Sequence, residues 1–446
     1  MRQRESILRR TFVRGSAGLL VAALFVVFVR GLPARAGTSS LSISDARAIE
    51  PLFGTRVERF TVTLTPAETS TVTVDFATQD GTAMAPADYT ALQGTLTFQP
   101  GQTIKRVDVR VKADTLTEPV ETFQVNLSNA VGATIVDGTG VGSIRDPIQK
   151  LATFAGAPFA DVAIDQTSTW AYATNTTLNQ VEVLNLKTNR AAAPFLVGSQ
   201  PEGIDITADG TTLYVACKGG NTVWVVDIAT GAHHTITIPS GFSSDTPYSI
   251  AIANNGKAFV VTTFNGSGFG ANMYEINLAT EQVTKRTDFY IGGTTTEDTH
   301  LQASFDRSRI GIVAGDISSG PVFVYTAATN SFTSEKDLAA FVDYITMDRD
   351  GSTILVDPGT YVLDATPTLL GTIPGGGGGV GVVPDGSVGY RVDGTSAIDV
   401  LNVDRFLSVR TVALGDATSG RNELVVAPNG SIMVVLTSHG MTTQTT

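Results

Sequence analysis

The chain has 446 residues, 16% of them charged, with a formal net charge of −12 and a single cysteine. So acidic a balance argues against nucleic acid and anionic lipid as partners, because both need cationic patches. The lone Cys217 excludes a disulfide framework and reads as a small buried hydrophobe, while sparse charge with abundant Gly, Thr and Val points to all-β construction.

Residues 1–36 read as an export signal peptide. Arg2, Arg4, Arg9, Arg10 and Arg14 form a basic start, residues 17–29 an apolar run, and Ala34-Arg35-Ala36 a small-x-small cleavage site. The run is shorter than the roughly 17–25 residues of a membrane span. Arg9-Arg10 before Thr-Phe-Val fits a twin-arginine signal as well as the general secretory route. Arg30 after the apolar run leaves an uncleaved anchor as an alternative. Cleavage removes seven Arg and one Glu and leaves a net charge of −18. The expected location is outside the cytoplasm: secreted, periplasmic or on the cell surface, with no membrane insertion after cleavage.

Residues 37–148 alternate apolar and polar positions in short strands, such as Phe60-Thr-Val-Thr-Leu64, Val72-Thr-Val-Asp-Phe76 and Val107-Asp-Val-Arg-Val111. Turn signals separate them at Gln79-Asp-Gly81, Gln99-Pro-Gly101 and Val136-Asp-Gly138. Period-two strands in about 110 residues, without helical periodicity, predict an aligned β-sandwich. Glu50, Asp88, Asp114, Glu118, Glu121 and Asp146 stand at the turns. Carboxylates gathered at one end of a sandwich repel one another unless a hard cation such as Ca²⁺ neutralises them.

The phrases Ala77-Thr-Gln-Asp-Gly-Thr-Ala83, Ala87-Asp-Tyr89, Gly94-Thr-Leu-Thr-Phe98 and Asp114-Thr-Leu-Thr-Glu-Pro-Val-Glu-Thr-Phe123 come in an order that resembles a Calx-beta domain. The resemblance implies an Ig-like sandwich that binds Ca²⁺ at one end, as in sodium–calcium exchangers. The ligands it implies are Glu50, Asp88, Asp114, the carbonyl of Leu116, Glu118 and Glu121, with Asp146 closing the site. Three positions depart from the family. Glu50 is followed by Pro51 instead of glycine, position 113 is Ala, and Asp146 stands alone before Pro147. Fewer carboxylates imply fewer ions and weaker binding, in the range of extracellular modules and not of sensors.

Residues 149–446 repeat one phrase, clearest at Pro201-Glu-Gly-Ile-Asp-Ile206, Ala208-Asp-Gly210, Leu213-Tyr-Val-Ala216 and Asn221-Thr-Val-Trp-Val-Val-Asp-Ile228. Taking its turn at 168, 210, 256, 307, 351, 386 and 430, the spacings are 42, 46, 51, 44, 35 and 44. A period of roughly 40–50 residues with several strands per repeat predicts a β-propeller. Seven copies predict seven blades, closed by pairing the segment near residues 151–154 with the last. The first three copies resemble the YVTN-type propeller repeat, also met in lactonase-like and amine-dehydrogenase-like propellers, which implies a fold and little about function. Trp170 and Trp224 are expected between blades, and the polar tail from Ser438 is expected to fray.

The starts of the inner strands offer Glu202, Tyr248, His300, Asp343, Asn422 and Glu423 to the channel mouth as candidate ligand-binding residues. His300 with those acids could ligate a cation or move protons. Polar residues facing a water-filled channel are the blander reading. The run Gly375-Gly-Gly-Gly-Gly379 lacks the Lys-Ser/Thr of a phosphate loop and reads as a flexible loop at the mouth. No residues read as a catalytic set, and no cofactor other than Ca²⁺ is implied. The expectation is a monomeric, non-enzymatic, exported calcium-binding protein whose rigidified sandwich presents a propeller to an extracellular protein or carbohydrate, in adhesion or envelope scaffolding. The alternative is a propeller enzyme of the lactonase or quinoprotein-dehydrogenase type.

Overall fold

The computed structural model describes residues 39–114, 118–148, 150–156, 159–239, 246–263, 273–288, 299–315, 318–333, 336–392, 396–418 and 423–446. Every regular element among them is a β-strand. The expected signal segment, Leu116 and Asn422 lie outside the described residues.

Alternation builds the first domain. In the strand Thr55–Thr65 the side chains of Phe60, Val62 and Leu64 are buried while their neighbours face outward, as a half-buried strand requires. That strand belongs to a four-stranded sheet in the order Ile104–Lys112, Thr55–Thr65, Ser40–Ile43, Thr134–Asp137. The facing sheet runs Ala46–Ile49, Thr139–Arg145, Glu121–Val131, Val72–Asp80, Gln93–Phe98. Between them Phe123 stacks on Tyr89 at 4.3 Å and meets Phe60 edge-on at 5.8 Å. Such geometry adds about 0.5–1.5 kcal/mol per pair beyond the area buried. Gly142 lies under these rings, and a Cβ there would sit 2.5 Å from Phe123, so only glycine fits.

Two neighbouring strands of the second sheet bring a pair of acids to one end of the sandwich. Ala46–Ile49 and Thr139–Arg145 pair in parallel with Ile49 opposite Arg145, and the amide of Glu50 donates to the carbonyl of Arg145. Glu50 and Asp146 therefore leave the sheet side by side.

The second domain is a ring of seven antiparallel sheets, spanning 159–196, 201–237, 247–285, 299–337, 344–372, 380–413 and 424–445. Each inner hairpin turn contains a left-handed residue: Ser168, Gly210, Gly256, Arg307, Gly351, Gly386 and Gly430, with φ from 53° to 78°. These are the seven turn positions that the repeat spacing picks out. Five are glycine, which adopts this conformation without steric cost. The ring closes where Lys150–Ala155 pairs with Gly440–Thr445 as the outer strand of blade seven. The tail is thus a paired strand and not a frayed end, because its backbone groups find partners on both sides. His233 and His234 open the outer strand of blade two. Trp170 and Trp224 pack against the core shared by blades one and two, where Cys217 is also buried.

Side chains tie adjacent inner strands together. Asp161 accepts the amides of Val162 and Ile204, Asp205 that of Ile252, Ser249 that of Leu301, and Glu423 that of Gly379. Inner strands present amides with no ladder partner, and these acceptors satisfy them. The glycine run is packed: a Cβ on Gly377 would meet the Val392 carbonyl at 2.0 Å, and one on Gly378 the Glu423 carboxylate at 2.2 Å. The expected flexible loop is instead a close approach of backbone to neighbouring groups.

Candidate metal centre at the end of the sandwich

The sandwich end gathers the carboxylates because each stands where a strand stops. Glu50 follows Ala46–Ile49, Asp146 follows Thr139–Arg145, Asp114 follows Ile104–Lys112, and Glu121 begins Glu121–Val131. Asp88 arrives from the turn after Val72–Asp80, its carboxylate accepting the amide of Met84 at 2.6 Å. Glu50, Asp88, Asp114, Glu118, Glu121 and Asp146 line one cavity of about 10 Å³, together with Lys112. That is room for about one water-sized sphere.

The six do not share one environment. Asp88, Glu118 and Glu121 each bring a carboxylate oxygen to within 4.8 Å of the others. All three are half-buried. Burial, then the charges of Asp88 and Glu118, push the Glu121 carboxyl up to about 7. Glu118 is raised by burial and then by the charge of Asp114. Such mutual destabilisation is what a cation relieves, and the donors are hard oxygens suited to Ca²⁺. On that chemistry Asp88, Glu118 and Glu121 fit the ion.

Glu50 and Asp146 are differently engaged. Arg410, on the outer strand Leu407–Ala413 of blade six, approaches Glu50 at 3.4 Å and Asp146 at 3.2 Å. Glu50 also accepts the amide of Asp114, and Asp146 that of Glu118, each at 2.7 Å. Burial and a hydrogen bond to Asp146 push Glu50 up to about 8. These two acids hold the loop that carries Glu118 and face a guanidinium. Nothing in the repeat pattern singles out Arg410, so sequence reasoning missed it.

The raised Glu121 carboxyl sets the sign of a pH dependence. The folded protein keeps a proton on Glu121 that the unfolded chain releases near 4.5. Its contribution is full below that value and is lost as pH rises through the folded pKa. The ion-free protein is therefore expected to melt at progressively lower temperature from about pH 5 to about pH 8, with Ca²⁺ restoring the loss at the upper end. Melts in chelator that stay level across this window would contradict the assignment.

At the propeller's mouth His300, Asp343 and Glu423 stand around Tyr344. Among the described residues, no three of Glu202, His300, Asp343 and Glu423 bring ligating atoms within 4.8 Å of one another. Tyr248 is buried with the Lys218 ammonium 5.4 Å from its ring centroid. His300 lies 5.8 Å, ring to ring, from Tyr344. The Tyr344 hydroxyl, hydrogen-bonded to Glu423, is held well above its ordinary range by burial first and by the charges of Glu423 and Asp343 next. The channel encloses a cavity of about 70 Å³, lined by later inner-strand residues such as Ile164, Asp205, Leu301 and Thr346. None of Glu202, Tyr248, His300, Asp343 or Glu423 lines it.

Comparison with known proteins agrees with this architecture. Residues 54–141 match the family model of the Calx-beta domain. The chain is 44% identical over 73 residues to sodium/calcium exchanger 1 of Rattus norvegicus, covering 16% of this chain and 8% of the exchanger. Over 65 residues it is 40% identical to adhesion G-protein coupled receptor V1 of Danio rerio, covering 15% of this chain and 1% of the receptor. The chain thus spans less than a tenth of the length of these relatives. Among solved structures, hydrazine synthase of Kuenenia stuttgartiensis superposes with a TM-score of 0.54 at 16% identity, over 67% of this chain and 98% of that one. The Cps50 (Swd1) β-propeller of Myceliophteria thermophila gives 0.52 at 10% identity, over 67% and 100%. At these identities the likeness is one of fold. The chain carries a Calx-beta domain followed by a β-propeller.

Proposed function

We propose that the Calx-beta domain binds one Ca²⁺ ion through Asp88, Glu118 and Glu121, and that the rigidified sandwich presents the propeller to a ligand outside the cytoplasm. The observation that carries this reading is the gathering of those three carboxylates within 4.8 Å beside a cavity sized for one small sphere. When bound, the ion supplies charge neutralisation; the chain's own part is to hold Glu118 in place through the Asp146 carboxylate and Asp88 through the Met84 amide. The role is structural, because a hard cation joining two loops rigidifies them. An extracellular protein or carbohydrate is the class of partner that suits an acidic, exported chain. Adhesion or envelope scaffolding would use it so.

The propeller-enzyme alternative needs Glu202, His300, Asp343 and Glu423 to converge on one point, and against it weighs that, among the described residues, no three of them bring ligating atoms within 4.8 Å of one another. The calcium reading is tested by calorimetric titration of the purified protein with Ca²⁺, and with Mg²⁺ in parallel. The expected result is saturable Ca²⁺ binding with a dissociation constant on the order of 10⁻⁴–10⁻³ M, as in extracellular modules. No heat from Ca²⁺ would end the proposal.

A further inference from the structure

We propose that Arg410 is the sandwich's built-in second cation: it takes the place of an ion between Glu50 and Asp146, limits the site to one Ca²⁺, and fastens the propeller to the sandwich. The limit on ion number rests on the calcium reading; the fastening does not.

Arg410 is a charged residue at a buried position. On its outer blade strand it lies between half-buried Val409 and exposed Thr411, on the face of buried Val412, and its side chain is only 1% exposed. Burying a guanidinium costs several kcal/mol unless carboxylates and hydrogen bonds compensate. The compensation comes from Glu50 and Asp146, 360 and 264 positions earlier in the chain, at 3.4 and 3.2 Å. Both are nearly buried as well, with side chains 6% and 3% exposed.

Two matching phrases surround the guanidinium. Glu50-Pro51-Leu52 and Asp146-Pro147-Ile148 each read acid, proline, aliphatic. They leave adjacent parallel strands together, so the acids stand beside each other and the aliphatics follow in step. Leu52 and Ile148 both pack into the core that blades six and seven share, with Ile148 fully buried. The Pro147 carbonyl also accepts a hydrogen bond from the Thr445 hydroxyl of blade seven. The prolines are two of the positions at which this chain departs from the Calx-beta pattern. They mark the plug that seats the sandwich on the propeller, with Arg410 between its prongs.

The acids themselves divide into two groups. The three that converge as a candidate metal group are Asp88, Glu118 and Glu121, and Glu50 and Asp146 are not among them. A guanidinium beside those two supplies the positive charge that an ion would bring, through directed N–H donors that an ion lacks.

The test combines Ca²⁺ counting with domain attachment. In wild type, calorimetry should give one Ca²⁺ per chain, and trypsin in chelator should leave the junction at 146–150 intact. Arg410→Met should bind a second Ca²⁺ equivalent and, in chelator, should open the junction to cleavage. Glu50→Gln/Asp146→Asn should open the junction in the same way. Should Arg410→Met fold poorly, adding Glu50→Gln and Asp146→Asn to it should recover solubility, because no uncompensated carboxylate is then buried; the triple variant should show the open junction. One equivalent in Arg410→Met would overturn the limit on ion number. A junction equally resistant in all variants would overturn the fastening. If wild type binds no Ca²⁺, the calcium reading fails and the limit with it, and the chelator arms alone decide the fastening.

Discussion

A protein carrying Asp88→Asn and Glu121→Gln is expected to melt at the same temperature with and without Ca²⁺, and in chelator to melt above wild type. Both halves have one cause. In the ion-free protein Glu121 is held at about 7 by burial and by its acidic neighbours, so neutral amides remove a repulsion. With Ca²⁺ present the order reverses. Wild type gains about 2.7 kcal/mol when the ion is at a hundredfold excess over its dissociation constant, whereas the variant gains nothing. The crossing of the two curves between chelator and Ca²⁺ is the signature, and scanning calorimetry reads it directly. If the variant were less stable than wild type in chelator, the carboxylates would be stabilising loop contacts and not an ion site.

Arg307→Gly is expected to destabilise the propeller although it brings blade four to the residue used in five other blades. Arg307 stands in the left-handed turn with φ 60°, where glycine would be free of strain. Relief of that strain is worth about 1–2 kcal/mol. Against it stands a buried pair: Arg307 donates through both terminal nitrogens to Asp205 of blade two at 2.8 Å and to the Ile252 carbonyl of blade three at 3.0 Å. Its side chain is 6% exposed and that of Asp205 13%. Removing one partner of such a pair costs about 3–5 kcal/mol. The loss wins by about 1–4 kcal/mol on these ranges, to be read from denaturant unfolding followed at the propeller. Arg307→Lys should recover only part, since it keeps the charge and loses the two-pronged donor. A glycine variant as stable as wild type would mean that Asp205 needs no more than its amide donors.

Much of the fold was readable because its determinants are local. A turn needs a left-handed residue wherever a blade's inner hairpin closes, and Asp-Gly or Asn-Gly writes that plainly at 210, 256, 351, 386 and 430. The gathering of carboxylates was readable for a similar reason: residues at the ends of neighbouring strands must meet at one end of a sandwich. What lay hidden joins distant parts of the chain. Arg410 reaches acids more than 260 positions away, and an arginine in an outer strand looks like any solvated one. The repeat phrase does not mark Asp161 or Asp205, yet they satisfy amides of the next blade's inner strand. The acid-proline-aliphatic phrases were visible as departures from a family pattern, but their purpose appears only when blades six and seven are beside them. Tyr344 escaped notice because nothing in the sequence says that its hydroxyl meets Glu423 from another blade.

Diffraction from crystals grown with Ca²⁺ should show density for one ion, with oxygens of Asp88, Glu118 and Glu121 at about 2.3–2.6 Å, while Arg410 stays between Glu50 and Asp146. An ion seated between Glu50 and Asp146 with Arg410 displaced, or no ion at saturating Ca²⁺, would contradict this assignment.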